Sequence, residues 1–158
     1  MARRDLRLRY VRPIHGGRGF TLLEVVLVVT LITAMTAMVV PVYQSFEAQN
    51  DLEVAMYTAA QSLRRAQTLS RASAGDMRWG VFMNAGQLVI FRGDSFTLRD
   101  PEFDEFFEVS SSIDFSGLTE MVFKKLSGAP QDVGKIIFTN ALGQSKSIDI
   151  NEKGTVSF

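Results

Sequence analysis

A long apolar run near the amino terminus dominates the pattern of hydrophobic and polar positions. Residues 20–40 contain one ionisable side chain, that of Glu24. A helix of about 20 residues crosses the roughly 30 Å hydrocarbon core of a bilayer. The run is also longer than the apolar region of a cleavable signal peptide, which has about 7–15 residues. The pattern therefore predicts a transmembrane helix over residues 20–40.

After Pro41 the pattern changes to the spacing of an amphipathic helix. Apolar side chains recur mostly every three or four residues, and polar side chains fall largely between them. We expect the helix to continue over residues 41–75, with a kink at Pro41 because proline lacks an N–H, and to stop at residues 73–76. The apolar stripe, which we expect to pack on the core of its own domain, comprises Phe46, Leu52, Met56, Ala59, Leu63, Ala66 and Leu69.

Residues 76–158 have the alternation and turn signals of β-strands. Asn84, Ala85 and Gly86 separate two strand-like segments and predict a hairpin, and further turns are expected at residues 140–143 and 152–154. A long helix followed by antiparallel strands predicts an α+β fold, with the sheet of a β-rich head packed on the outer half of the helix. The predicted strands are residues 79–83, 87–92, 108–113, 120–126, 135–139, 145–150 and 155–158.

The charge is divided unevenly, although the formal net charge is zero. Residues 1–19 carry six arginines against one aspartate, so their net charge is +5 and that of the remainder is −5. A basic segment before an apolar helix is expected on the cytoplasmic side of a membrane. The acidic remainder argues against nucleic acid as a partner, since phosphates attract Lys/Arg surfaces.

The inventory of reactive side chains argues against catalysis. The chain has no cysteine, which excludes disulfides, thiol catalysis and Cys-ligated zinc. The single histidine, His15, lies in the basic segment, so the body has no imidazole. No Ser-Lys or paired-carboxylate motif is evident. We therefore expect a structural protein, not an enzyme, with no cofactor.

One acidic stretch invites a metal-binding interpretation. Calcium takes six to eight oxygen ligands, but residues 94–108 match no calcium motif, and we predict a solvated loop and no metal site. The phenylalanines interleaved there, at positions 96, 103, 106 and 107, could anchor the loop to the core or to an adjacent subunit, and we expect the core. The acidic side chains are those of Asp94, Asp100, Glu102, Asp104, Glu105 and Glu108.

The junction between the basic segment and the apolar run carries the most specific motif. Residues 19–24 have the sequence Gly-Phe-Thr-Leu-Leu-Glu. This string resembles the type IV prepilin signature, in which a glycine precedes the cut, a hydrophobic residue begins the mature chain and a glutamate is fifth. Gly16 and Gly17 are rival cut sites, but only a cut after Gly19 makes Phe20 first and Glu24 fifth. Pro41 then falls at mature position 22, where many members of that superfamily have a proline.

The resemblance implies a maturation pathway and a set of partners. A prepilin peptidase would cut the Gly19–Phe20 bond on the cytoplasmic face, remove the leader of residues 1–19 and methylate the amino terminus of Phe20. Glu24 would then neutralise the amino terminus of a neighbouring subunit during assembly. The implied location is the inner (cytoplasmic) membrane, crossed once, with the head periplasmic or extracellular. The implied partners are the peptidase, other pilin or pseudopilin subunits, the inner-membrane assembly platform and the membrane itself.

A looser resemblance covers most of the chain. Residues 63–71, the all-strand remainder and the closing strands around Gly143 and Gly154 look like the H-type minor pseudopilin of type II secretion (general secretion pathway protein H) and related minor pilins. The function that this implies is a structural minor pseudopilin, which serves protein secretion. Two alternatives stay open: a type IV pilin for adhesion, motility or DNA uptake, and a signal-anchored periplasmic domain that never assembles.

Overall fold

The structure is a computed structural model that describes residues 19–157. One helix, α1, spans Leu22–Arg71, and a short 3₁₀ helix follows at Ala74–Asp76. Helix α1 ends two residues before the stop predicted at residues 73–76, where Ser73 and Gly75 adopt left-handed backbone conformations. Within the described residues, eight strands follow: β1 Trp79–Asn84, β2 Gln87–Arg92, β3 Asp100–Glu108, β4 Asp114–Gly117, β5 Glu120–Phe123, β6 Gly134–Thr139, β7 Ser145–Ile150 and β8 Val156–Ser157.

The chain divides into two compact units between Val39 and Val40. In the first unit, the part that the structure describes is residues 19–39, which hold the start of α1 and expose every side chain assigned there. The second unit, from Val40 onward, contains the rest of α1 and all eight strands.

The strands of the second unit form two antiparallel four-stranded sheets. Their orders are β3-β2-β1-β5 and β4-β6-β7-β8. Strands β1 and β2 form the predicted hairpin, in which Asn84 pairs with Gln87 across the two-residue turn Ala85-Gly86. Gly86 has φ 85°, a left-handed conformation that glycine adopts without strain.

The core lies between the sheets and the carboxyl-terminal part of α1. The first helix residue in this buried cluster is Leu52, and the cluster continues along α1 to Ala66. From the strands it receives alternate residues, such as Leu88 and Ile90 of β2, because successive side chains of a strand point to opposite faces. The long helix packed on antiparallel sheets confirms the predicted α+β fold class.

The last turn of α1 is fixed to the sheet by a buried serine. The Ser70 hydroxyl accepts a hydrogen bond from the Trp79 N–H at 2.9 Å and lies 3.2 Å from the Phe123 carbonyl oxygen, to which it can donate. Closer to the amino end of the helix, the Asn140 side-chain amide donates a hydrogen bond to the Ala48 carbonyl oxygen at 3.1 Å. These bonds hold the strands against one face of the helix.

A second, smaller apolar cluster lies on the face of the first sheet that points away from the helix. Phe91 is buried there, next to Gly80, where an added Cβ would lie 2.5 Å from the Phe91 ring. The connection over residues 93–99 covers this face, because the Phe96 ring stacks on Phe82 with ring centroids 4.0 Å apart. We call residues 93–99 the strap. Phe96 therefore anchors its segment, as the sequence indicated.

Three sequence predictions in this region are wrong. The expected solvated loop over residues 94–108 is a loop only as far as Arg99, because Asp100–Glu108 form strand β3. The expected strand over residues 108–113 is mostly a turn, and β4 follows it at Asp114–Gly117. The expected anchoring of the phenylalanines to the core fails at Phe103 and Phe106, which are 39% and 62% exposed, whereas Phe107 packs against the core.

Candidate functional site

The proposed cleavage junction precedes the helix and is open to solvent. Gly19 and Phe20 lie outside regular secondary structure, and the Phe20 side chain is 80% exposed. An added Cβ at Gly19 would meet no atom within 4 Å. Contacts within the described residues therefore do not require glycine at position 19.

Glu24 occupies a capping position in the first turn of α1. Thr21 immediately precedes the helix, and its hydroxyl accepts a hydrogen bond from the Glu24 N–H at 3.2 Å. Thr-x-x-Glu at a helix start is the capping-box sequence, and an acid there also interacts favourably with the helix dipole. The capping-box spacing is visible in the sequence, but it was not among the roles predicted for these residues. Within residues 19–157 the Glu24 carboxylate has no hydrogen bond or ion pair.

The apolar part of α1 in the first unit suits a lipid or helix environment. By length and composition alone, α1 is able to cross a membrane. Three threonines interrupt the aliphatic run, and each hydroxyl donates to the carbonyl oxygen four residues earlier, at 2.7–2.9 Å. These bonds satisfy the hydroxyl groups inside the helix, as an apolar surrounding requires. The threonines are Thr30, Thr33 and Thr36.

Helix α1 continues through Pro41 without ending there. The proline has no N–H to donate to the carbonyl group four residues earlier. A kink at Pro41 stays a prediction. The leader predicted over residues 1–19, which includes His15, lies outside the described residues except for Gly19.

A second apolar face on α1 points away from the core of the second unit. Tyr43 and Phe46 are each 68% exposed, although the sequence pattern assigned Phe46 to the core. At about 100° per residue, the six residues from Phe46 to Leu52 turn through one full turn plus about 240°. Phe46 therefore points away from the buried stripe that begins at Leu52. We call this exposed face the back face of α1. It comprises Val42, Tyr43, Phe46, Val54 and Tyr57.

The acidic side chains of β3 are mostly held by arginines. Glu105 makes a bidentate ion pair with Arg65 of α1, in which both N–O distances are 2.7 Å. The Glu105 carboxylate raises the pKa of the Arg65 guanidinium above its ordinary value, through hydrogen bonding first and charge second. Asp104 pairs with Arg99, and Asp100 with Arg92. Among residues 19–157, no group of three or more His, Cys, Asp or Glu side chains has a geometry that could hold a metal ion.

Comparisons with known proteins give one structural likeness. No family model matches the sequence, and no curated protein matches it. Among solved structures, the chain is similar to one described as the minor pseudopilin EpsH from the type 2 secretion system of Vibrio cholerae. The two share 11% identity over 68% of this chain and 94% of that chain, with a TM-score of 0.49. A likeness of this size does not carry a functional assignment, so function has to be argued from the residues themselves.

Proposed function

We propose that the chain is a structural subunit of a type IV pilus-like filament, in particular a minor pseudopilin of a type II secretion system. In this proposal a prepilin peptidase cuts the Gly19–Phe20 bond and methylates Phe20. The subunit then enters the filament through α1, with Glu24 paired to a neighbouring amino terminus. The head stays outside the inner membrane.

The observation that carries the proposal is the back face of α1. The core of the second unit begins at Leu52 and is complete without the helix residues before it. Residues 41–51 lie beyond the predicted membrane span of residues 20–40, and they make up about 16 Å of helix at ~1.5 Å per residue. Neither the bilayer nor the head core therefore covers Tyr43 and Phe46. Large exposed apolar surfaces of this kind mark interaction sites, and helices of other subunits would cover it.

The chemistry of Glu24 fits the same proposal. A carboxylate inside an apolar helix costs several kcal/mol to bury unless it is paired. Cleavage before Phe20 creates an ammonium group four residues from Glu24, at the same end of the helix. Opposite charges in a low-dielectric bundle attract strongly, so an ammonium–carboxylate pair between subunits would set the helix register.

The capping-box sequence is compatible with one alternative, a signal-anchored domain that does not assemble. In the Thr-x-x-Glu sequence the side chain of Glu24 stands where it can accept a hydrogen bond from the Thr21 N–H, and such a local role would need no other subunit. In that alternative the carboxylate matters only because it stabilises the first turn of α1. The two functions then differ in what they require at position 24: a negative charge for assembly, or a side chain that can complete a cap.

Substitutions at position 24 separate these functions. Glu24→Gln keeps a capping-box side chain, since Gln serves at this position as Glu does, but it removes the charge. We expect Glu24→Gln and Glu24→Val to insert into the membrane normally and to be depleted from isolated filaments by at least tenfold. The matched control is Glu47→Gln, an exposed acid on the same helix that has no ion pair in the part of the chain described.

The measurement is the ratio of each variant in sheared filaments to that in the membrane fraction. Depletion of both Glu24 variants, with normal incorporation of Glu47→Gln, supports the charge pair. Incorporation of Glu24→Gln at the wild-type level would refute the charge pair and leave Glu24 with its capping role.

A further inference from the structure

Strand β3 leaves one edge of the first sheet open. It comprises Asp100–Glu108 and pairs only with β2 in the part of the chain that the structure describes. The pairing is regular from Glu105 to Glu108, and a bulge shifts the register before it resumes at Asp100. No backbone–backbone hydrogen bond links its outer edge to another segment of residues 19–157. An open edge exposes N–H and C=O groups to which another chain can add a strand.

The side chains of β3 give this edge a negative charge. The strand holds five acids and no base. Three of the acids are turned to partners of the same subunit, as described above, whereas Glu102 and Glu108 are exposed and have no ion pair within the described residues. Between them lies Phe106, which is 62% exposed. In sequence, the exposed ring of Phe106 therefore falls between two carboxylates that have no ion pair within the described residues.

The strap holds β3 in place beside this edge. Arg99 of the strap donates to Asp104 of β3 at 2.8 Å and to the Phe96 carbonyl oxygen at 2.8 Å, and its guanidinium lies 3.7 Å from the centroid of the Phe96 ring. A fixed edge loses little conformational freedom when a partner binds.

A buried acceptor on the same strand lacks a donor. The Asp104 side chain is 2% exposed, and its Oδ1 has no hydrogen bond to any of residues 19–157, although Oδ2 is held by Arg99. Leaving a buried acceptor unpaired costs free energy. A bound chain that supplied a donor to Oδ1 would recover this free energy.

We propose that the β3 edge binds an extended, basic segment of another polypeptide by strand addition. Lysine or arginine side chains of that segment would lie opposite Glu102 and Glu108, and an apolar side chain would cover Phe106. A second copy of β3 is a poor occupant, because pairing two acidic strands sets like charges opposite each other. The inference does not depend on whether the Gly19–Phe20 bond is cut.

The test uses the full chain in nonionic detergent micelles and a fluorescent nine-residue peptide of alternating lysine and valine. We expect the peptide to bind, and hydrogen exchange to slow at the amides of residues 100–108. The double variant Glu102→Lys/Glu108→Lys should weaken binding at least tenfold. Both positions are exposed and unpaired, so this variant should fold. The matched control, Glu47→Lys/Glu152→Lys, reverses two exposed acids elsewhere and should change binding less than twofold.

A second peptide separates strand addition from simple charge attraction. The same sequence, N-methylated at every residue, keeps its charge but cannot donate backbone hydrogen bonds, and we expect it not to bind. Equal binding of the methylated peptide would overturn the proposal, as would unchanged affinity in the Glu102→Lys/Glu108→Lys variant. Slowed exchange at β3 that depends on protein concentration without peptide would show that a second copy is the occupant, and would also overturn it.

Discussion

Replacing Phe46 by serine tests whether the back face of α1 is an assembly surface. The side chain is 68% exposed and contributes nothing to the buried cluster of the second unit. An exposed substitution of this kind changes the free energy of unfolding by about 0.5 kcal/mol or less. The isolated subunit should therefore keep its melting temperature, while its association with other subunits weakens.

The size of that weakening follows from the exposed fraction. Full burial of a phenylalanine side chain contributes about 1.5–3 kcal/mol. Since 68% of the Phe46 side chain remains to be covered, removing it should cost roughly 1–2 kcal/mol of association free energy. This corresponds to about a 5- to 30-fold lower affinity.

A competition experiment measures this loss directly. Tagged wild-type and Phe46→Ser subunits are expressed together at equal levels, and their ratio in sheared filaments is compared with their ratio in the membrane. The matched control is Leu142→Ser, at a head residue that is 56% exposed. We expect Phe46→Ser to be depleted and Leu142→Ser to be incorporated normally. Equal incorporation of both variants would refute the role of the back face, as would a large drop in the melting temperature of Phe46→Ser.

Two further substitutions probe how the second unit is held together. Ser70→Ala removes the acceptor of the buried Trp79 N–H and should destabilise the fold by about 1–3 kcal/mol. Its control is Ser62→Ala, at a buried helix serine that has no hydrogen bond in the described part of the chain. This control should change the free energy of unfolding by about 0.5 kcal/mol or less. Leu63→Ala truncates a fully buried side chain and should cost about 2–5 kcal/mol. Urea titration measures both, and equal stability of Ser70→Ala and Ser62→Ala would contradict the bonding assigned to Ser70.

The helix and most of the strands could be predicted because their signals are local. Apolar steps of three and four residues from Leu52 to Ala66 defined the buried stripe, and all of these positions are buried. The hairpin was evident from the turn residues between β1 and β2. In each case neighbouring residues carry the information, so no knowledge of distant contacts is needed.

Strand β3 could not be predicted because its stability depends on distant partners. Aspartate and glutamate are depleted in strands, so an acidic run resembles a loop. In the structure, Glu105 is held by Arg65, which is 40 residues away in sequence. An edge position also tolerates charges that a central strand would exclude. The sequence pattern alone contains neither the ion pair nor the edge position.

The candidate site could be predicted only in part. The junction motif was recognisable from spacing alone, and the structure adds the capping bond of Thr21 and the back face of α1. The back face was overlooked because Phe46 was grouped with the buried stripe by hydrophobicity, without regard to its angle around the helix. Geometry of this kind becomes clear once the buried positions are known.

The most direct test of the central claim is the amino terminus of the protein extracted from membranes. Intact mass and amino-terminal sequencing should be compared in cells with and without an active prepilin peptidase. The account predicts a peptidase-dependent chain that begins at Phe20 and is heavier by one methyl group. A chain that keeps residues 1–19 in the presence of the active peptidase would contradict it.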